Sequence, residues 1–448
     1  MVERNSDAAV AASLPDEPAT GRGVYKWYVL AILALINLIS AIDRGVISVI
    51  TEPLKAEFQL SDKQVGLLSG MAFSVTYATA VMPLGWLVDR MNRRMLLSLS
   101  VTIWSVLTAI CGASTSFITL SIARMGVGAA EAPTAPTSLS LIADTFPLKL
   151  RNTAVSLFLA GAGCGALLQF VVGAWLLTHF GWRTVFLVAG GPGILLGALL
   201  YFTTHEPERG AFEAPGSEAK ESAKHASKTI DVLRGIIGNP ALCFAIPAIM
   251  IATGVFYSLV MWTTSFLVRV HGMSVSAGAV WTGMGFGLCL TIGSLLAGPV
   301  ADRFSGGDQR KLALIPAAAT FVAAIAGIVL TMSNVLTVAL GGLAVLGFMA
   351  GFYLGPGYSI ILSLSVPNER GTTMALTKLI TTLVGGSAIT FITGAISDAV
   401  GGHDSIRPAL LFNAALLLLS TFCFLMIRYL LGQQSNGRSF AAAAQIHS

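Results

Sequence analysis

Residues 124–144 read Arg-Met-Gly-Val-Gly-Ala-Ala-Glu-Ala-Pro-Thr-Ala-Pro-Thr-Ser-Leu-Ser-Leu-Ile-Ala-Asp, an arginine and a glutamate inside a segment otherwise apolar enough to cross a bilayer. A charge at the centre of a membrane helix costs about 2.5–3.5 kcal/mol on insertion scales, so it faces a protein interior or a water-filled path and has a partner. Arg124 and Glu131 are seven residues apart, which puts them on one helical face, with Gly128 between and Ala135 and Ser138 beyond. That face reads as the wall of a transport route.

The rest of the composition agrees with a membrane reading. The 448 residues are 54% hydrophobic and only 11% charged, with a mean hydropathy of +0.77, more apolar surface than a soluble fold of this size can hide. The net charge of +5 does not point to nucleic acid, because the cations flank apolar runs and act as orientation signals. The five cysteines (Cys111, Cys164, Cys243, Cys289 and Cys423) are isolated in apolar stretches and read as small core residues. No HExxH or Gly-x-Ser-x-Gly pattern occurs and the six histidines are scattered, so neither an enzyme nor a metal or cofactor site is expected. Residues 1–23 carry no periodic pattern, and the apolar run after them is long enough to remain as a span.

Twelve candidate spans follow, at about 26–50, 64–88, 95–112, 117–142, 152–178, 183–203, 240–267, 277–300, 312–332, 335–364, 372–398 and 408–431. The expected fold is an all-α membrane protein with twelve transmembrane helices in two pseudo-symmetric six-helix bundles. Its expected parts are an N-terminal tail (1–24), a first bundle (25–203), a polar linker (204–238) with an amphipathic turn near 230–237, a second bundle (239–431) and a C-terminal tail (432–448). With the N-terminus in the cytoplasm, nineteen of the 27 Lys and Arg fall inside and five outside, so both termini are expected in the cytoplasm of an inner-membrane protein.

A repeat marks the two halves. Gly85-Trp-Leu-Val-Asp89-Arg90-Met-Asn-Arg93-Arg94 follows the second span, and Gly298-Pro-Val-Ala-Asp302-Arg303 follows the eighth. Pro147-Leu-Lys-Leu-Arg151-Asn-Thr and Pro367-Asn-Glu-Arg370-Gly-Thr open the fifth span of each half. With Gly181-Trp182-Arg183-x-x-Phe186, these motifs resemble the major facilitator superfamily over nearly the whole chain. Asp43-Arg44, Asn92-Arg93-Arg94 and Arg124-x-x-Val-Gly-x-x-Glu131-Ala-x-x-Ala-Pro136 are similar to the spinster family of lysolipid and sphingolipid-related transporters. The resemblance implies a transporter of an amphiphilic, lipid-like substrate. It also implies a cytoplasmic gate at Gly85, Asp89 and Arg90, with Asp89 at the positive end of the eleventh helix, and a less complete copy at Asp302 and Arg303.

The residues themselves nominate a site. Asn37, Ser40, Arg44, Ser48 and Thr51 form a polar stripe on the first span, with Asp43 beside it. Along the helix rise Asp43, Arg44 and Arg124 share a depth, and Glu131 lies about 10 Å deeper. Asp43 is expected to pair with Arg124 or Arg44, and Glu131 to face the cavity as a second titrating carboxylate, so that a partner change releases or captures a proton. The rival reading is a static ion pair joining two helices. Lys378 either snorkels to the membrane surface or meets an anionic substrate. Tyr77, Tyr257, Trp262, Tyr353 and Tyr358 are candidate pocket aromatics, against a reading in which they pack or sit at the interface. The glycine runs 161–165 and 283–287 lie within spans and read as close helix packing. The expected protein is a monomeric, proton-coupled carrier working by alternating access on a lipid-like substrate. The alternative is a carrier of a small organic anion, favoured if Arg44, Arg124 and Lys378 all face the cavity.

Overall fold

The computed structural model describes residues 20–209, 211, 229–306, 308–366, 369–402 and 404–446. In the first half α1 is Thr20–Phe58, and α2 comprises Asp62–Gly66, Leu67–Ala72 in π geometry and Phe73–Arg90. Then come α3 (Arg93–Gly112), α4 (Phe117–Glu131 and Thr134–Thr145), α5 (Leu148–Phe180) and α6 (Trp182–Thr203). The second half holds α7 (Pro240–His271), α8 (Val275–Gly283, Met284–Cys289 in π geometry, Leu290–Ser305), α9 (Leu314–Met332) and α10 (Leu336–Leu364). It ends with α11 (Arg370–Ile380, Thr381–Ala388 in π geometry, Ile389–Val400) and α12 (Ile406–Ile446).

Eleven of these helices are long and apolar enough to cross a membrane unbroken, and the twelfth crossing, α4, is made in two pieces. Polar caps fix several starts: Asn92 accepts from the Met95 amide, Ser116 from that of Thr119, and Asn239 stands before Pro240 at the first position of α7. Sequence reasoning placed one continuous helix over 117–142. Pro133 interrupts it, because proline has no N–H for the Ala129 carbonyl and its ring crowds that turn. The tail expected from 432 is helical through Ile446. A helix, Thr229–Gly238, occupies the stretch where an amphipathic turn was expected. Most of the expected N-terminal tail, 1–19, and the centre of the linker, 210 and 212–228, lie outside the described residues.

Within the first bundle α1 runs along α5 and α3 along α6, and in the second α9 packs on α10 and α12. Small residues let these backbones approach. A Cβ on Gly161 or Gly165 would stand 2.3 or 2.2 Å from a carbonyl oxygen of α1, and one on Gly283 would meet the Phe170 ring carbons.

An even number of crossings puts Thr20 and the helix Thr229–Gly238 on one side of the molecule, called here the linker face, with the other side the far face. The bundles touch at the far face and part toward the linker face. On the side of α5 turned to α8, Ala174 and Phe170 are buried, Leu167 is half-buried, and Gly163, Ala160 and Ser156 are exposed. On the facing side of α8, Gly283 and Gly287 are buried, whereas Thr291, Ser294 and Gly298 are exposed. Each set is spaced by three and four residues and so lies on one helical face. The exposure therefore records a seam that opens along its length.

Candidate functional site

Four charges from α1 and α4 meet inside the first bundle. Asp43 Oδ1 accepts from Arg124 Nη1 at 3.1 Å and from the Thr108 hydroxyl at 3.0 Å, and both charged side chains are only 1% exposed. The Arg124 guanidinium lies 5.5 Å from the Phe73 ring centre. About two turns further along α4, toward the linker face, Glu131 Oε1 accepts from Ser40 Oγ, from Arg44 Nε at 2.8 Å and from Arg44 Nη2 at 2.7 Å. Glu131 is fully buried, but the Arg44 side chain is 44% exposed and lies 5.5 Å from the Tyr77 ring centre.

The pairing differs from the depth estimate because a helical side chain leans toward its own N-terminus. The N-terminus of α1 is at the linker face and that of α4 at the far face, so Arg44 and Glu131 lean toward each other. Glu131 does not face the cavity, contrary to the sequence reading: Arg44 stands between it and the open space. Asn37 is also not turned to that space, since its amide donates to the Phe158 carbonyl of α5 at 2.8 Å. The site is held tightly at Gly128, where a Cβ would sit 2.4 Å from the Phe73 carbonyl oxygen of α2.

Across the gap the second bundle presents Tyr257, which is exposed, Tyr358, which is half-buried, and Lys378, which is exposed on α11. Lys378 is within electrostatic reach of Tyr257 and Tyr358 in its own bundle and of Arg44 and Tyr77 in the other. It thus faces the space between the bundles. Trp262 and Tyr353 do not: both are fully buried, and the Trp262 indole donates to the Thr390 carbonyl at 3.2 Å. Large aromatics on α7 and α10 fill helix contacts as readily as they line a pocket.

At the linker face, Gly85 and Asp89 fall within α2, and the surroundings of Gly85 and the side chain of Asp89 lie outside what is described. Arg90, Asp302 and Arg303 are exposed, and Asp302 lines a cleft of about 640 Å³ between α8 and α10. The neighbouring arginines tie the start of the linker to its own bundle. Buried Arg93 pairs with Asp144 and Glu206, the latter at 2.7 Å, and Arg94 donates to the Thr204 carbonyl at 2.6 Å. In the Gly181-Trp182-Arg183 motif, Trp182 Nε1 and Arg183 both bind Glu57, at 2.6 Å each, which fastens α6 to the end of α1.

Sequence reasoning missed the far-face closure. Arg269 of α7 grips Asp62 of α2 with two bonds, of 2.7 and 2.8 Å, and also donates to Glu52 at 2.8 and 2.9 Å. Asp62 further accepts from Lys55 and from Ser397 Oγ of α11, the latter at 2.6 Å. Asp398 accepts the Asp62 and Lys63 amides at 2.8 and 2.7 Å, placing a carboxylate on the positive end of α2. Beneath this cluster the π turns of α2 and α11 lie against each other, with Gly70 on Ser387. Ser397-Asp398 was the available sequence signal, but nothing local links it to residues more than 330 positions away.

Residues 33–385 match the Major Facilitator Superfamily sequence model. The chain belongs to that superfamily and is a multi-pass membrane transporter, not an enzyme. The fold matches the crystal structure of a bacterial homolog of the human lysosomal transporter spinster, in an inward-facing and unoccupied conformation. That likeness has a TM-score of 0.83 and 26% identity, over 94% of this chain and 99% of the other. The sequence is 26% identical over 406 residues to an MFS-type efflux pump of Mycolicibacterium smegmatis, covering 89% of this chain and 91% of that protein. It is 27% identical over 305 residues to a probable galactarate/D-glucarate transporter of Bacillus subtilis, covering 64% and 66%.

Proposed function

We propose that this secondary transporter works by alternating access and carries an anionic amphiphile, with a proton taken up at Glu131 as the coupling ion. One observation carries the reading: Arg44 is shared, binding buried Glu131 with two nitrogens while part of its guanidinium reaches the space between the bundles. An anionic headgroup arriving there competes with Glu131 for Arg44. A buried carboxylate that loses its cation favours the neutral form, so cargo binding promotes proton uptake at the same site. Asp43, already fixed by Arg124 and Thr108, serves to hold α1 and α4 in register.

The amphiphile follows from the shape of the space. At one end stand Arg44, Lys378, Tyr77, Tyr257 and Tyr358, and at the other is the open α5–α8 seam, lined by small groups (Ala160, Gly163, Gly298 and the hydroxyl-bearing Ser156, Thr291 and Ser294) up to half-buried Leu167. A charged head fits the first and a hydrocarbon tail the second. The small-anion alternative is supported by the two cations and by the likeness to a probable sugar-acid transporter. The excess of Lys and Arg in the linker-side loops supports a cytoplasmic linker face, and an inner-membrane location and a monomeric carrier complete the proposal.

The test is binding to purified protein in nanodiscs, with an acidic lysophospholipid and galactarate as probes. The lysophospholipid is expected to bind more tightly, and Lys378→Gln to weaken it by about tenfold or more, as expected for the loss of a charge-assisted contact. Saturable galactarate binding with no lysophospholipid binding would replace this reading with the small-anion one.

A further inference from the structure

Past the break in α4, three to seven residues after Glu131, lie three buried hydroxyls. Many helical threonines in this chain bond back to a carbonyl one turn earlier, as Thr76 does to Ala72, Thr102 to Ser98 and Thr145 to Leu141. Thr134, Thr137 and Ser138 are buried, and their hydroxyl oxygens have no hydrogen-bond partner among the described residues. Glu131 Oε2 is in the same position: both arginine bonds and the serine bond go to Oε1. A buried hydroxyl left unsatisfied costs about 1–3 kcal/mol, so three together on one short helix need a reason.

The two protonation states of Glu131 supply it. Ionised, the carboxylate only accepts, and Ser40 and Arg44 are its donors. Protonated, it carries an O–H that must donate, and a guanidinium has no lone pair to receive it. A threonine or serine hydroxyl does; Ser40 meets Oε1, whereas Oε2 has no such group bonded to it. We propose that Thr134, Thr137 and Ser138 form the acceptor site for the protonated Glu131 carboxyl, reached directly or through one bound water. Thr134 lies three residues after Glu131, and the row runs about 6 Å along α4 toward the linker face. The second piece of α4 packs among α1, α2, α3 and α5, in the interior of the first bundle.

In this scheme the Arg44 bonds to Oε1 break as Arg44 turns to the headgroup, and a hydronium ion entering by the path so opened gives its proton to Oε2 and leaves as water. The new O–H donates to the hydroxyl row. Among the described residues Asp43 and Arg44 on α1 act on Glu131; beyond them stand Arg124 on α4 and Cys111 on α3 near Asp43, and Tyr77 on α2 with Tyr257 and Lys378 across the gap near Arg44. Asp43 and Arg124 are committed to each other, so a charge change at Glu131 acts chiefly on Arg44. The row therefore gives the carboxyl a second resting place and makes the exchange of Arg44 two-state.

This rests on the proton-coupled reading above, and infrared difference spectroscopy of the protein in nanodiscs separates the two. The carboxyl C=O band that titrates in the wild type and is lost in Glu131→Gln reports protonated Glu131. In the combined variant Thr134→Val, Thr137→Val, Ser138→Ala, its midpoint is expected to fall by about one pH unit, a tenfold loss of proton affinity, because the protonated form has lost its acceptors. Thr137→Ser is expected to keep the wild-type midpoint, as an effect of packing alone would not. Where the combined variant does not fold, Thr137→Val and Ser138→Ala singly are expected to lower the midpoint by a few tenths of a unit. An unchanged midpoint in folded variants overturns the acceptor site and leaves proton coupling standing. The absence of any Glu131 band in the wild type overturns both.

Discussion

Alanine at Asp43 will destabilise the protein by about 3–5 kcal/mol, the cost of leaving a buried arginine without its carboxylate. Arg124 is 1% exposed, and its ion-pair partner is Asp43, so the variant strands a cation between α1, α3 and α4. The remaining contacts, to the Asp43 backbone carbonyl at 3.4 Å and the Phe73 ring, do not replace a carboxylate. Removing both charges, as in Asp43→Ala with Arg124→Leu, should recover much of the loss, since the desolvation cost of the arginine goes with it. Thermal unfolding in detergent of the single and double variants completes a cycle. Equal stability of Asp43→Ala and the wild type would show that the pair does not hold the bundle.

The second large effect is on conformation. Asp62 is the hub of the far-face closure, taking two bonds from Arg269, one from Lys55 and one from Ser397. Charge-assisted bonds are worth about 1.5–3 kcal/mol each, and Glu52 still holds Arg269 after Asp62 is lost. A net loss of about 3 kcal/mol shifts the balance between closed and open far face by roughly 10²-fold. Spin labels at the exposed positions Gln59 and Ser274, one on each bundle, should report a longer distance in Asp62→Ala. An unchanged distance distribution would mean that the closure rests on packing such as Gly66 and Gly70 against α11, and that the charges are incidental.

The membrane class, the twelve crossings and the two-bundle plan were legible because they rest on length, hydropathy and a repeated loop, all local properties of the chain. The charges in 124–144 and at 43–44 stood out for the same reason. Their partners did not, since a rise per residue locates Cα atoms and not the end of an arginine: Arg44 reaches Glu131 although their backbone positions were placed at different depths. Pro133 was visible, yet proline bends some membrane helices without dividing them, and only packing decides which. Trp262 and Tyr353 looked like Tyr257, because burial depends on the facing helix and not on the residue. The far-face cluster was hidden by separation, its members having been counted as orientation signals or passed over.

The central claim is that proton movement and cargo movement meet at Glu131. The direct measurement is internal pH in liposomes carrying purified protein, under an inward proton gradient, with and without an acidic lysophospholipid. The account predicts acidification that depends on the lysophospholipid in the wild type and is absent in Glu131→Gln. Lysophospholipid movement without proton movement, or equal acidification in both proteins, would contradict it.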